Sequence, residues 1–357
     1  MRIVFVSMET PHWRDTPAVV RLHRLARALA RLDHDVFVCC ARWWDGEHQT
    51  FEQHGITYRA ITDDRSLRAF ATKLPFALRK LSPDVIHAIN SPPAHVRAAN
   101  ATATFLRVPV VVDWWSDVDS DPVRGYRKAV SGCDRIVVPS RMVATMVREH
   151  GARESALDVI PEGINMDLIR ETRPASDVDL VYSRRLDEHA NVETFLLALA
   201  ELRRRDWSAV VIGDGPNKDT AVQTAADLRI DDKVEFVGDL PIDERVAYMK
   251  GAHVFAQTAE FEPFATDLLW GLACGCVGIV EYQVGSSAHE LVEGKSKLQG
   301  TRGRLVTSPQ ELADEVIATR SLERKQIDEA YEAYSYESVV DRYQSVYERA
   351  RSNRGLF

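Results

Sequence analysis

Short, wholly apolar runs alternate along this chain with longer stretches whose apolar positions recur every three or four residues. That alternation reads as buried strands joined by amphipathic helices. The run RIVFVS opens it. A helix is expected from about Ala18 to Leu32, with Val19, Leu22, Leu25, Ala26, Leu29 and Ala30 inward and Arg21, Arg24, Arg27 and Arg31 on its flank. The strands DVFVCC, ITYRAI, DVIHAI, VPVVVDW and RIVVPS follow, then a helix after Ser140 and the strand in ALDVIPEG. The turn residues Pro161 to Asn165 interrupt the pattern as a hinge. It then restarts with DLVYSRR, the helix NVETFLLALAELRRR, the strand in SAVVIGDGP, a helix after Asn217, KVEFVG, a helix around Asp243 to Met249, and HVFAQ. Strands alternating with helices predict parallel sheets covered on both faces. The expected architecture is α/β: a Rossmann-like domain over 1–165, a second over 166–335, and a terminal helix over 336–357 carrying Tyr343 and Tyr347.

The stretch from Thr258 to Glu290 carries the densest chemistry. It predicts a strand end, a loop, a helix from Thr266 and Asp267 stopping at Gly275, the strand GIVEY and a Gly-containing turn. A loop feeding a helix start offers unpaired N–H groups and a positive dipole end, which suits a phosphate. Glu262 lies on that loop, in reach of hydroxyls attached to such a phosphate. The pair suggests a sugar phosphate. Taken alone, without its neighbours, Glu262 reads first as a solvated loop acid.

Ligands of open α/β sheets bind beyond the carboxyl ends of the strands. In the first half those loops are 9–15, 42–45, 90–93 and 113–121; in the second, 183–189, 213–217, 238–241, 260–266 and 282–287. Trp43, Trp44, Trp114, Trp115, His12 and Trp13 all follow strands, so an aromatic acceptor-side wall is one reading and core packing at loop bases is the other. Gly213-Asp214-Gly215 lacks the third glycine of a dinucleotide fingerprint, Lys218 standing there; tight-turn geometry explains it as well.

Around the organising stretch, Glu262, Phe264, Ala273, Gly275, Gly285 and Glu290 fall where glycosyltransferase family 4 has its donor-binding pattern, and the chain resembles that family. The resemblance implies a GT-B fold with two Rossmann-like domains facing a central cleft. It also implies a retaining hexosyl transfer from a nucleotide-diphosphate sugar, needing no metal and no cofactor. Arg184 matches the family's diphosphate-binding arginine, and His189 replaces its lysine; an arginine fork suits a diphosphate, while a histidine is charged only part of the time near neutral pH. Donor-binding candidates are Gly213, Phe264, Ala265, Thr266, Asp267, Trp270 and Glu281. Two positions depart: Ala265 replaces a glycine, and Trp270 stands where a glutamate usually holds the ribose, a role Asp267 one turn earlier could take. GCDRIVVPSRMV from Gly132 and VIPEGIN from Val159 also match, with Glu162 in place of an asparagine. In the first half, the usual Gly-Gly near Asp15 and Thr16 and the histidine near Trp115 are missing. Asp113, Asp117 and His12 are therefore the candidates to position an acceptor hydroxyl. The acceptor expected from the resemblance is a glycan or a lipid-linked sugar. A GT-B epimerase, a non-catalytic glycosyltransferase-like subunit and a dehydrogenase are the rival readings.

Composition changes this picture little. The chain has 357 residues, enough for two full cores, with 45% hydrophobic and 27% charged residues. It has no apolar run long enough to span a membrane, and the N-terminal IVFV is too short for a signal-peptide core. Five cysteines without metal-ligand spacing fit buried free thiols in a cytoplasmic protein. The net charge is −8, yet residues 1–165 hold about 22 basic and about 19 acidic residues, so the first half is positive and the second acidic. That asymmetry fits contact with an anionic surface, or chance. The arginine flank over 21–31 is either a peripheral membrane contact or a solvated helix face. No basic run interleaved with aromatics supports nucleic-acid binding.

Overall fold

The computed structural model describes residues 1–13, 16–115, 125–175, 178–293 and 302–354. The chain divides into two compact units. One is 1–161 with 339–357, the other 162–338.

Unit one is built on β1 (Arg2–Val6), β2 (Asp35–Ala41), β3 (Thr50–Gln53), β4 (Ile56–Thr62), β5 (Val85–Ile89), β6 (Val110–Asp113), β7 (Arg135–Val138) and β8 (Leu157–Val159). Their order across the sheet is β3-β4-β2-β1-β5-β6-β7-β8. All neighbours are parallel except β3, which returns antiparallel along β4. That edge hairpin escapes the sequence pattern because TFEQ is short and half-polar. The helices are α1 (Pro17–Arg31), α2 (Leu67–Leu81), α3 (Pro93–Leu106), α4 (Tyr126–Val130) and α5 (Arg141–Glu149). Alternate residues of β1 feed two cores, as a strand covered on both faces requires. Ile3 and Phe5 pack with Leu22, Leu25 and Leu29 of α1, while Val4 and Val6 pack with Phe70, Leu74 and Val96.

Unit two has β9 (Val178–Ser183), β10 (Ala209–Ile212), β11 (Val234–Gly238), β12 (Ala252–Gln257), β13 (Phe261–Glu262), β14 (Val277–Glu281), β15 (Gly285–Ser286) and β16 (Gly303–Val306). Six of them form a parallel sheet in the order β11-β10-β9-β12-β14-β16, and β13 pairs with β15 in a separate two-stranded ladder. Its helices are α6 (Met166–Glu171), α7 (Val192–Glu201), α8 (Lys218–Asp227), α9 (Ile242–Gly251), α10 (Thr266–Ala273), α11 (His289–Val292) and α12 (Pro309–Thr319). α10 presses close to β12: a Cβ on Gly271 would meet the Phe255 ring at 2.4 Å.

The last helix, α13 (Tyr336–Arg354), starts in unit two, but from Val339 onward it belongs to unit one. There Val339, Val340, Tyr343, Val346, Tyr347 and Ala350 are buried against the α1 face of the sheet. Polar groups on the same face fix its register. The Tyr343 hydroxyl donates to Asp113 at 2.8 Å and accepts from Arg21 Nη2 at 2.7 Å; Arg21 also donates to the Ile160 carbonyl at 2.8 Å. His87 Nδ1 lies 2.7 Å from the Tyr347 hydroxyl.

This network revises the expectations for two residues. Arg21 is 3% exposed and does not belong to a surface arginine stripe; only Arg24, Arg27 and Arg31 of that flank are exposed. Asp113 is 1% exposed; its Oδ2 accepts from Arg21 and Tyr343 and its Oδ1 is buried without a partner among the described residues, so burial keeps it from an acceptor hydroxyl. Burial raises its pKa against the pull of Arg21. All five cysteines are free and buried. No helix among the described residues is long and apolar enough to cross a membrane.

Candidate functional site

The sheet of unit two reverses its winding at β9, which lies between β10 and β12. Ligands of such sheets sit at this switch point, beyond the strand ends. A cavity of about 270 Å³ opens there, lined by Ser183 at the end of β9, Gln257 at the end of β12, and Arg184, Glu262, Thr266 and Asp267.

Each lining group is held by local structure. β13 pairs Glu262 with Ser286, and the Ser287 N–H donates to the Glu262 carbonyl at 2.8 Å. The short ladder thus fixes the loop that presents the carboxylate. That carboxylate is ion-paired to Arg184. Burial pushes the Glu262 carboxyl up to about 7; Arg184 opposes the rise, while Asp267 and Asp187 add to it. Arg184 leaves β9 on a backbone pinned by its N–H to the Ile212 carbonyl at 3.0 Å. Asp267, in the first turn of α10, accepts from Ser183 Oγ at 2.7 Å and from Arg245 at 2.9 and 3.1 Å. No side chain caps α10, whose preceding residue is Ala265. Its first-turn donors and dipole are therefore not neutralised by a cap, an arrangement suited to an anion.

Gly213 serves the site indirectly. Its φ is +139°, and a Cβ there would come within 1.9 Å of the Arg184 carbonyl. Gly215, at φ +155°, would meet the Leu186 carbonyl at 2.3 Å. The turn is thus a packing device that lets the β10 loop lie against the segment carrying Arg184. Gly213→Ala is expected to lower stability by more than about 2 kcal/mol, because it combines backbone strain with a clash against main chain. A denaturant midpoint equal to that of the parent protein would refute this.

The remaining candidates lie elsewhere. Phe264 also borders the cavity, whereas Ala265 is 1% exposed. His189 does not line it; its ring faces Phe261 at 5.9 Å, and its main-chain carbonyl accepts from the Glu260 N–H. Trp270 is 3% exposed, because α10 is apolar on nearly all sides and buries this position. Burial removes it from ribose recognition. Glu281 accepts from Asn191 Nδ2 at 2.9 Å, bracing the β9 loop outside the cavity. Sequence reasoning missed Gln257 and Arg245: the former reads as strand interior, and nothing in the order of residues announces that Arg245 of α9 reaches Asp267.

In unit one, Trp114 and Trp44 are buried in the two cores, and the Arg21 guanidinium lies 5.0 Å from the Trp115 ring centre. The Trp43 ring stacks on exposed His12 at 3.5 Å between centres. Thus the six ring-bearing residues form no single wall: Trp44 and Trp114 are core, while His12 and Trp13 remain exposed. Asp117 lies outside the described residues. A second cavity of about 270 Å³ lies at this unit's own switch point, between the ends of β1 and β5, with Glu9, Thr16, Asn90 and Ser91 as its polar lining. Among the described residues, no cluster of three or more His, Cys, Asp or Glu is placed to hold a metal.

Two Rossmann-like α/β units, one with a cation, a carboxylate and an uncapped helix start around its switch point, have the fold of the GT-B class. The model for glycosyltransferase family 4 matches residues 18–168, and that for glycosyl transferases group 1 matches 168–336. The chain belongs to this family of glycosyltransferases.

N-acetyl-alpha-D-glucosaminyl L-malate synthase of Bacillus anthracis is 25% identical over 232 residues, 63% of this chain and 54% of that protein. Alpha-monoglucosyldiacylglycerol synthase of Streptococcus pneumoniae is 26% identical over 170 residues, 43% of this chain and 38% of that one. The matched stretches thus span about half or less of those relatives. Among solved structures, Anabaena HepE in complex with UDP superposes with a TM-score of 0.75 at 19% identity, covering 98% of this chain and 100% of that one.

Proposed function

We propose that this protein moves a hexose from a nucleotide-diphosphate sugar to a glycan or lipid-linked acceptor, with retention at the anomeric carbon and without a metal. The observation that carries this reading is the switch-point cavity of unit two, where Arg184, Glu262 and the uncapped start of α10 converge. The donor diphosphate would take Arg184 and the first turn of α10, and Glu262 would be freed to accept sugar hydroxyls. Cation and helix dipole together offset the charge that builds on the leaving diphosphate. The S. pneumoniae relative is named for a diacylglycerol product and HepE was solved with UDP, which supports a nucleotide-sugar donor and a lipid-linked acceptor as one option. Five buried free thiols accord with a cytoplasmic setting.

One observation favours a second reading, a non-catalytic binding subunit: Trp270 is buried where the family's ribose-holding glutamate would stand. Turnover separates the two, since a binding subunit leaves every nucleotide sugar intact with or without acceptor. The first experiment is a thermal-shift screen of nucleotide sugars and free nucleoside diphosphates. One donor should raise the melting temperature selectively. Arg184→Ala should weaken both the sugar nucleotide and its free diphosphate roughly ten- to hundredfold, the worth of charge-assisted bonds. Glu262→Ala should lose the sugar's added shift while still responding to the free diphosphate. No shift with any donor would refute the donor-site reading.

A further inference from the structure

Two large apolar side chains on unit one stand out by their exposure: Phe76 on α2 is 78% exposed and Phe105 on α3 is 74% exposed. α2 and α3 lie side by side, and the Arg79 guanidinium sits 5.8 Å from the Phe105 ring centre, which puts both phenylalanines beside one cation. On α2, Lys73, Phe76, Arg79 and Lys80 follow helical spacing, so they share one face, and all four are exposed. On α3, Arg97 and Phe105 are exposed, as is Arg107 just past its end.

The charge on this face has one sign. Residues 65–112 contain seven basic residues and a single acid, Asp84, in a chain whose net charge is −8. Neither α2 nor α3 contains an aspartate or glutamate. Among the described residues, Lys73, Arg79, Lys80, Arg97 and Arg107 have no carboxylate within ion-pair distance. Exposed phenylalanines set among unpaired cations, with no acid between them, match an anionic lipid surface: the rings enter the headgroup boundary and the cations stay at the phosphates.

We propose that the α2–α3 face of unit one docks the protein on anionic membranes through Phe76, Phe105 and the surrounding lysines and arginines. Of the arginine flank of α1, Arg21 is turned into the core, while Arg24, Arg27 and Arg31 remain exposed. The proposal stands apart from donor recognition in unit two; where that reading also holds, docking would bring the enzyme to lipid-linked acceptors.

The test is co-sedimentation of the full chain with vesicles of pure phosphatidylcholine, and with vesicles containing about 30% phosphatidylglycerol, without any nucleotide sugar. Binding is expected only to the anionic vesicles, and is expected to fade as salt rises. Arg79→Glu with Lys80→Glu should weaken it at least about tenfold, since each basic residue near such a surface is worth roughly fivefold. Phe76→Ser with Phe105→Ser should weaken it by about tenfold or more without restoring binding to neutral vesicles. Both pairs are exposed, so melting temperatures should match the parent, which separates lost docking from lost folding. Three outcomes would overturn the proposal. These are no binding at low salt, equal binding to neutral vesicles, or a self-association in sedimentation velocity that Phe76→Ser with Phe105→Ser abolishes, which would assign the face to a second copy. None of them depends on donor turnover.

Discussion

Nucleotide affinity at the unit-two cavity is expected to fall by up to about tenfold per pH unit above pH 7, and Glu262→Gln to remove that dependence. The cause lies in one ion pair. Burial pushes the Glu262 carboxyl up to about 7, even with Arg184 beside it. A diphosphate that recruits Arg184 takes away the carboxylate's stabilising cation and adds negative charge next to it. In the complex the carboxyl must therefore hold its proton to higher pH than in the free protein. Above pH 7 the free protein has lost that proton and the complex has not, so binding takes up a proton and weakens as pH rises. Titration calorimetry between pH 6 and 9, in two buffers of different ionisation enthalpy, counts the protons directly. The Gln variant carries any titration of the ligand itself, so the difference between the two proteins isolates Glu262. Equal slopes in both would show that the ligand leaves the Arg184–Glu262 pair intact.

The pair also shows what the residue pattern could convey. Arg184 and Glu262 are 78 positions apart, yet each follows a strand of a βα alternation, and the parallel sheet brings strand ends together by construction. The same logic placed Thr266 and Asp267 at a helix start. It worked because strands buried on both faces read as unbroken apolar runs. Where position within a layer decided the outcome, the pattern was silent. Asp113 and Trp114 end β6 in the same way that Arg184 ends β9, but α13 returns over that part of the sheet and Tyr343 takes up the carboxylate. Trp270 occupies a family site position, yet a helix apolar on nearly all sides has no face left for a ribose. The β13–β15 ladder, two residues on each strand, carries no periodicity to detect, although it is what presents Glu262. Gly213 was legible as a turn glycine, but its 1.9 Å conflict with the Arg184 carbonyl is tertiary.

Acid should open unit one before unit two, with a steep dependence below pH 6.5. Three histidines of unit one, His23, His87 and His95, are 4%, 0% and 0% exposed. Burial lowers all three pKa values. His23 and His87 fall to about 3, with His12 and Arg27 adding to the effect at the first and Arg21 at the second, while His95 falls to about 4 against a hydrogen bond with the Ile89 carbonyl. In the unfolded chain these imidazoles titrate near their ordinary value of about 6.5. Between 6.5 and 4 the unfolded state therefore binds more protons, so folding stability falls as pH falls. Each histidine contributes up to about 1.4 kcal/mol per pH unit, and three together up to about 4. Asp113 works the other way. Its raised pKa keeps a proton on the folded carboxyl where the unfolded one has released it, so it offsets up to one of the three over the window in which it titrates. In unit two the raised Glu262 and Glu281 carboxyls also favour the folded state as pH drops, which widens the difference. Five of the seven tryptophans lie in the first 115 residues, so fluorescence-monitored unfolding between pH 7.5 and 4.5 reports mainly on unit one. Limited proteolysis at pH 5 should cut unit one first. His87→Gln, which cannot charge, should reduce the proton uptake by close to one. A pH-independent transition, or cleavage beginning in 162–338, would show that the three imidazoles find room to charge in place.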